Sequence, residues 1–294
     1  MFELKAYLDD RRSVINRELE KQLPAGSEKP AVLHSAMRYS LMSGGKRLRP
    51  ILVIAAAEAV GGSIDSAIQP ALAVEALHTY TLIHDDLPCM DNDDLRRGRP
   101  TLHKVYGEAN ALLAGDALLT MAFEWLASSR APDPYPPNQL SLELARAAGS
   151  RGVIGGQAED IAGTGSATTS DQLEYIHSHK TGLLIRAAVR IGAILSGASE
   201  KDLTAITEYG TSTGLAFQIA DDILNAVSTP DVLGKPVGSD KALGKTTWVS
   251  VHGLGAARKK AAQLAGLADN SIANLAGNTD PLRAIARYMV ERKY

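Results

Sequence analysis

Residues 71–86, ALAVEALHTYTLIHDD, decide the fold. Leu72, Ala76, Tyr80 and Ile83 recur at helical spacing and form one apolar stripe. His78, Thr81 and Asp85 fall at i, i+3 and i+7, which at about 100° per residue is a single polar line on the same helix. The pattern recurs at 214–226, where Gln218, Asp221, Asp222 and Asn225 occupy i, i+3, i+4 and i+7 among Leu215, Phe217, Ile219, Ile223 and Leu224. A lone acidic pair is more often a solvated face. Two such lines, each on a helix otherwise rich in core residues, predict an interior polar cavity.

Working outward, alanine and leucine dominate the chain, aromatics are only 5%, and β-branched alternation is scarce, so helices are expected throughout. Periodicity places them near 3–22, 31–43, 50–60, 67–86, 109–128, 138–150, 171–197 (one helix or two), 200–226, 240–266 and 280–292. Breakers separate them at Gly61-Gly62 and at 132–138, 163–170, 229–244 and 277–281. No βαβ unit, repeat or low-complexity linker is visible. The expected architecture is all-α, a single large helical bundle over 1–294 around a central active-site cavity.

With 45% apolar and 22% charged residues the composition is that of an ordinary globular protein. A net charge of −2 points neither to nucleic acid nor to anionic lipid. The apolar run at 51–57 stops at Glu58, so no membrane-spanning helix is expected. Cys89 is the one cysteine, which excludes a disulfide framework and a cysteine-based zinc site and suits a reducing, cytoplasmic location. The opening MFELKAYLDDRR lacks the apolar core of a secretory signal.

Charge is unevenly placed. Asp85, Asp86, Asp91, Asp93 and Asp94 put five acids into residues 85–94, where the chain average of 33 in 294 would give about one. Clustered carboxylates repel unless a cation neutralises them. Oxygen ligands without cysteine or paired histidines favour Mg²⁺ or Mn²⁺ over zinc. A calcium EF-hand loop starting at Asp91 fails, because Leu95 and Arg96 stand where a polar ligand and glycine are needed. Mg²⁺ commonly bridges carboxylates to a phosphate, so a phosphorylated ligand is implied.

Residues 43–50, SGGKRLRP, supply a matching grip: two glycines let backbone approach an anion, and three cationic side chains precede a helix. The GxxxxGK[ST] pattern of a P-loop is absent. Lys180-Thr181, Gly234-Lys235, Asp240 and Lys245-Thr246 add glycine–lysine pairings typical of anion closure. His103, His177, His179 and His252 show no partner spacing and read as structural or surface residues.

GGKRLRP, HTYTLIHDDLPCMDNDDLRRGRPT, GGQAED, HKTG, FQIADDILN and GKPVGSD–KALGKTT together resemble the trans-isoprenyl diphosphate synthase family over roughly 30–250. The likeness is strongest to the short-chain bacterial farnesyl type, whose first motif reads DDxxxxD, as Asp85 to Asp91 do here. It implies head-to-tail condensation of dimethylallyl or geranyl diphosphate with isopentenyl diphosphate to give farnesyl diphosphate, and a homodimer. It implies Asp85, Asp91 and Asp221 as Mg²⁺ ligands, with Asp86 and Asp222 beside them. Arg96, Lys180 and Lys235 match residues that hold the allylic diphosphate. Gly45, Lys46, Arg49, His78 and Arg97 match the isopentenyl diphosphate side, and Lys245 of the later loop is counted with the substrate-binding residues. Thr181 and Gln218 match oxygens that face the carbocation.

Asp85 and Asp91 lie six residues apart, about 240° around a regular helix, so the helix has to end for both to reach one metal. Pro88 permits that bend. Asn225 stands where the family usually has a third Asp; the change is mild if the position acts through water and costly if it binds metal directly. Bulk one to two turns before the first motif limits product length in this family. Tyr80 is about 7–8 Å below Asp85 but about 140° around from it, whereas Thr81 is about 40° away, so Tyr80 is either the pocket floor or a packing residue. Geranylgeranyl diphosphate as product and a non-catalytic partner subunit are the alternatives.

Overall fold

A computed structural model describes residues 2–163, 169–227 and 246–291. Helices α1 (Leu4–Gln22) and α2 (Ala31–Leu41) lead into α3 (Leu48–Ala59) and α4 (Ile64–Asp85). A small antiparallel hairpin follows, β1 (Leu95–Arg96) with β2 (Arg99–Pro100). Then come α5 (Leu102–Tyr106), α6 (Glu108–Ala127), α7 (Gln139–Ala148) and α8 (Val153–Gly163). Helix α9 (Ser170–Ile176) passes through a π-helical turn (His177–Gly182) into α10 (Leu183–Leu195). The described chain closes with α11 (Glu200–Val227), α12 (Trp248–His252), α13 (Leu254–Ser271) and α14 (Asp280–Glu291).

Helix α3 is the hub. It buries every residue except Arg49 and Glu58, and a helix apolar on all sides must be covered on all sides. Helices α4 and α10 flank it; α4 packs in turn on α6, α10 on α11, and α11 on α13. The acid-bearing C-terminal parts of α4 and α11 thereby belong to one helical assembly. Among the described residues no helix is long and apolar enough to cross a membrane.

The expected helices form, with instructive differences. Residues 153–163, outside the expected helices, are helical as α8, and a side chain at Gly156 would collide with the Lys180 backbone. The 171–197 segment is one path carrying a π turn rather than two separated helices. Part of the expected 240–266 helix lies outside the described residues, and the rest breaks at Gly253 into α12 and α13. The hairpin was not expected. Arg97 and Gly98 both take left-handed backbone (φ 55° and 74°), the two-residue turn that matches strand twist, so a stretch rich in acids and arginines folds back on itself.

The loop before α3 is fixed by a buried arginine. Arg47, itself left-handed (φ 52°), turns inward and donates to Glu75 of α4 (2.7 Å), to the Leu41 carbonyl (2.6 Å) and to Asn16 (3.0 Å). Both side chains of the Arg47–Glu75 pair are essentially inaccessible. Removing one charge from such a pair strands the other in low dielectric. Glu75→Gln is expected to lower unfolding stability by about 3–5 kcal/mol in urea titrations. Arg12→Gln, which removes an exposed ion pair to Asp9, should cost no more than about 1 kcal/mol.

Candidate active site

At the end of α4 the chain reverses. The Leu87 N–H donates to the His84 carbonyl and the Asn92 N–H to that of Leu87, with Pro88 inside the bend. The Asp91 N–H then donates to the Asp85 carbonyl at 2.9 Å. The six-residue spacing is thus closed by a turn, as the helical geometry required. Burial, with Asp91 and Asp86 adding like charge, pushes the Asp85 carboxyl up to about 6, while Lys180 and Arg96 pull the other way. Asp86 faces a different partner. Arg96 of β1 grips its carboxylate through Nε (2.7 and 2.8 Å) and Nη2 (2.5 Å), and Asp93 lies 3.7 Å from the same guanidinium. Arg96 and Asp86, assigned from the sequence to diphosphate and metal, are bound to each other here.

Across from the acids lies a cavity of about 680 Å³. Gly45, Lys46, Arg49, His78 and Arg97, which the sequence grouped together, all line it. Thr181, Gln218 and Asp221 close its other side. Arg97, at the tip of the hairpin, donates back to the Gly44 carbonyl. Gly45 takes φ +116°, a backbone conformation that favours glycine, and the Arg97 guanidinium packs directly against it. Arg49 donates to His78 Nε2 (3.1 Å), which leaves the imidazole proton on Nδ1. Burial and the surrounding arginines drive the His78 pKa well below its usual value, so the ring is neutral. Burial lowers Arg49 to about 10, opposed by Glu75 and Asp221; its Nε is buried and has no hydrogen-bond partner. A guanidinium with a vacant donor on a cationic cavity wall suits an incoming anion.

The π turn delivers the third group. Gly214 of α11 sits so close to Gly182 that an added Cβ would lie 2.7 Å from its Cα, which brings the two elements into direct register. The Thr181 hydroxyl donates to Gln218 Oε1 (2.9 Å), uniting two residues the sequence paired by resemblance alone. Lys180 pairs with Asp160 of α8 (2.7 Å). The acids of the second motif diverge: Asp221 lines the large cavity, whereas Asp222, largely buried, borders a smaller one beside Lys180, Gln218 and His177. Asp222 Oδ2 accepts from the Trp248 N–H (2.6 Å) and lies 3.4 Å from His177 Nε2. Burial lowers His177 to about 4, so the ring is neutral. Asn225, one turn beyond Asp221, shares the Asp221 side of α11.

Three residues with clear parts in this arrangement escaped the sequence reading. Glu75 looks like a stray charge within an apolar stripe. Asp160 belongs to GGQAED, quoted above without a role. His177 precedes Lys180 by three residues, one helical step, and that spacing was the available signal.

Below Asp85 an apolar cavity of about 340 Å³ opens, lined by Leu87, Met90, Leu112, Ile154 and Ile161. Tyr80 and Thr81 both face it. The Tyr80 ring, almost wholly buried, stands edge-on to His84 at 5.0 Å between centroids.

Among the described residues no three acids, cysteines or histidines converge tightly enough to hold a metal unaided. Mg²⁺ dehydrates reluctantly and takes one or two carboxylates together with substrate phosphate oxygens. The crowded Asp85–Asp91 turn and the Asp221 wall are donors of that kind. Lys235 and Lys245, with Gly234 and Asp240, lie outside the described residues.

The polyprenyl synthetase family model matches residues 30–278. The chain is 48% identical to the farnesyl diphosphate synthase of Escherichia coli (strain K12) over 262 residues, covering 87% of this chain and 88% of that protein. It is 43% identical to the geranylgeranyl diphosphate synthase of Cyanophora paradoxa over 293 residues, covering 99% and 97%. The crystal structure of geranylgeranyl pyrophosphate synthetase from Pyrococcus horikoshii Ot3 superposes with a TM-score of 0.90 at 31% identity, covering 99% of this chain and 98% of that one. The fold is that of the all-α isoprenoid synthases, and the chain belongs to the polyprenyl synthetase family of trans-isoprenyl diphosphate synthases. Its activity is that of a prenyltransferase.

Asp222 offers a local test of the geometry. Asp222→Ala leaves the Trp248 N–H buried without an acceptor and should cost about 1–3 kcal/mol of stability in urea titrations. Asp222→Asn, which keeps an oxygen, should recover most of that loss.

Proposed function

We propose that the protein condenses dimethylallyl diphosphate, then geranyl diphosphate, with isopentenyl diphosphate to give farnesyl diphosphate. The observation that carries this reading is one cavity with cationic residues on one wall and an acid of the second motif on another, next to an apolar cavity under Asp85. In the proposed reaction the allylic C–O bond breaks with both electrons leaving on diphosphate. The isopentenyl double bond attacks the cation, and a proton is lost to the released diphosphate. Bound Mg²⁺, with Mn²⁺ able to stand in, supplies positive charge that makes diphosphate a better leaving group. Asp85, Asp91 and Asp221 would hold it.

The remaining work falls to the chain's own groups. Lys46, Arg49 and Arg97 bind the diphosphate of the isopentenyl substrate, and neutral His78 fixes the Arg49 guanidinium. Lys180 and Arg96 meet the allylic diphosphate. Thr181, its proton already committed to Gln218, offers hydroxyl lone pairs toward developing positive charge. Tyr80 floors the apolar cavity and stops the growing chain at fifteen carbons. Geranylgeranyl diphosphate is the second reading, favoured by the Cyanophora relative that matches nearly the whole chain. Exposed Leu112 and Leu113 on α6, with Ile154 and Ile161 on α8, support a homodimer. Cys89, exposed and unpaired, suits the cytoplasm.

Purified protein given dimethylallyl and isopentenyl diphosphates with Mg²⁺ should yield a C15 product by chromatography. Asp85→Ala should lower kcat by about 10²–10³-fold with the circular dichroism spectrum unchanged, and EDTA should abolish turnover. Activity that survives both treatments would refute the assigned chemistry. Tyr80→Ala should shift the product to C20 or longer. A variant that still makes only C15 removes Tyr80 as the floor, and a wild type that makes C20 favours the second reading.

A further inference from the structure

A second concave surface, about 580 Å³, shares no lining residue with the cavities above. It lies between α7, the turn before α8, α10 and the first half of α11, and four arginines surround it: Arg146, Arg151, Arg186 and Arg190. Glu143 is the one acid in its lining. That carboxylate is fully committed, because it takes Arg190 Nε and Nη2 at 2.8 Å each and the Gln139 amide at 2.9 Å. Arg190 Nη1 goes to the Thr207 hydroxyl (2.6 Å). Glu143 also acts on Arg186 through space, so one carboxylate stands against four guanidinium groups, and only Arg190 is hydrogen-bonded to it.

Among the described residues Arg146, Arg151 and Arg186 have no ion pair and no side-chain hydrogen bond. Arg186 is the telling one. It is half-buried and sits one helical turn before Arg190, so two guanidinium groups crowd the same face of α10. Burial, and then the Arg190 charge, make its protonated form less favourable than in water, and Glu143 offsets this only in part. A half-buried guanidinium without an acceptor beside a like charge is an arrangement that an anion relieves. The Ser150 and Thr207 hydroxyls border the same concavity. Forked guanidinium donors match phosphate oxygens, and three unpaired arginines suit more than one negative charge.

We infer that this arginine concavity binds a diphosphate-bearing anion outside the catalytic cavity. The inference rests on these side chains and goes beyond the proposed reaction. The source is either free inorganic diphosphate or the headgroup of a prenyl diphosphate, whose tail would meet Leu183 and Ala187.

The test is calorimetric titration of inorganic diphosphate, and separately of farnesyl diphosphate, into the intact protein in EDTA. Wild type should show two classes of site per chain for at least one of these probes. Arg146→Gln/Arg186→Gln should weaken one class at least tenfold and spare the other, and Lys46→Gln/Arg97→Gln should do the reverse. Should the first double variant fail to fold, Arg146→Glu/Arg151→Glu alters two exposed residues and should give the same loss. The probe that binds the class removed by the Arg146 variants identifies the source. A single class of site, or two classes that neither set of Arg146 variants weakens, would overturn the proposal. Loss of binding confined to the Lys46 variant tells against the arginine concavity while leaving the catalytic reading intact.

Discussion

The buried ion pair between Arg47 and Glu75 holds the two halves of the catalytic cavity in register. A loop carrying Lys46, Arg47 and Arg49 would be driven into water by its charge unless one of those charges were spent inward. Arg47 is the one turned in, bridging the end of α2, α1 and α4. With Arg47 fixed, Lys46 and Arg49 on either side of it reach the same cavity as His78 of α4. Desolvating both charges is expensive and is tolerated because the guanidinium finds an acceptor in three directions. The cationic wall of the site is thus a consequence of how α3 is anchored.

A second regularity concerns the paired aspartates. In each acidic motif the two carboxylates take different surroundings. Asp85 stands above the apolar cavity while Asp86 holds Arg96 and so fixes the hairpin. Asp221 lines the cationic cavity while Asp222 holds Trp248 and so fixes the start of α12. Adjacent helical residues point about 100° apart, so the division follows from helix geometry. Asn225, on the Asp221 side, leaves the second motif with one carboxylate on the large cavity.

The sequence carried the helices and the polar lines well because periodicity is a local property. The reversal from Asp85 to Asp91 was legible too, since a regular helix cannot bring those residues together and Pro88 marks the bend. The remainder depended on distant partners. The helix at 153–163 went unread, and its Gly156 is explained only by the Lys180 backbone that crosses it. Whether Tyr80 could face the apolar cavity was undecidable from its angle to Asp85, because that cavity is completed by α6 and α8. Asp86 and Asp222 look identical in pattern to Asp85 and Asp221, and only Arg96 and Trp248 distinguish them.

The central claim is that two diphosphates are held at once by different physics, one by the chain's own cations and one through carboxylates that require a metal. Equilibrium binding with and without Mg²⁺ tests it most directly, using isopentenyl diphosphate and a non-ionising thio analogue of dimethylallyl diphosphate. Isopentenyl diphosphate should bind with nearly the same Kd in EDTA as in Mg²⁺, whereas the allylic analogue should bind only with the metal. Equal dependence on Mg²⁺ for both ligands, or for neither, would contradict the account.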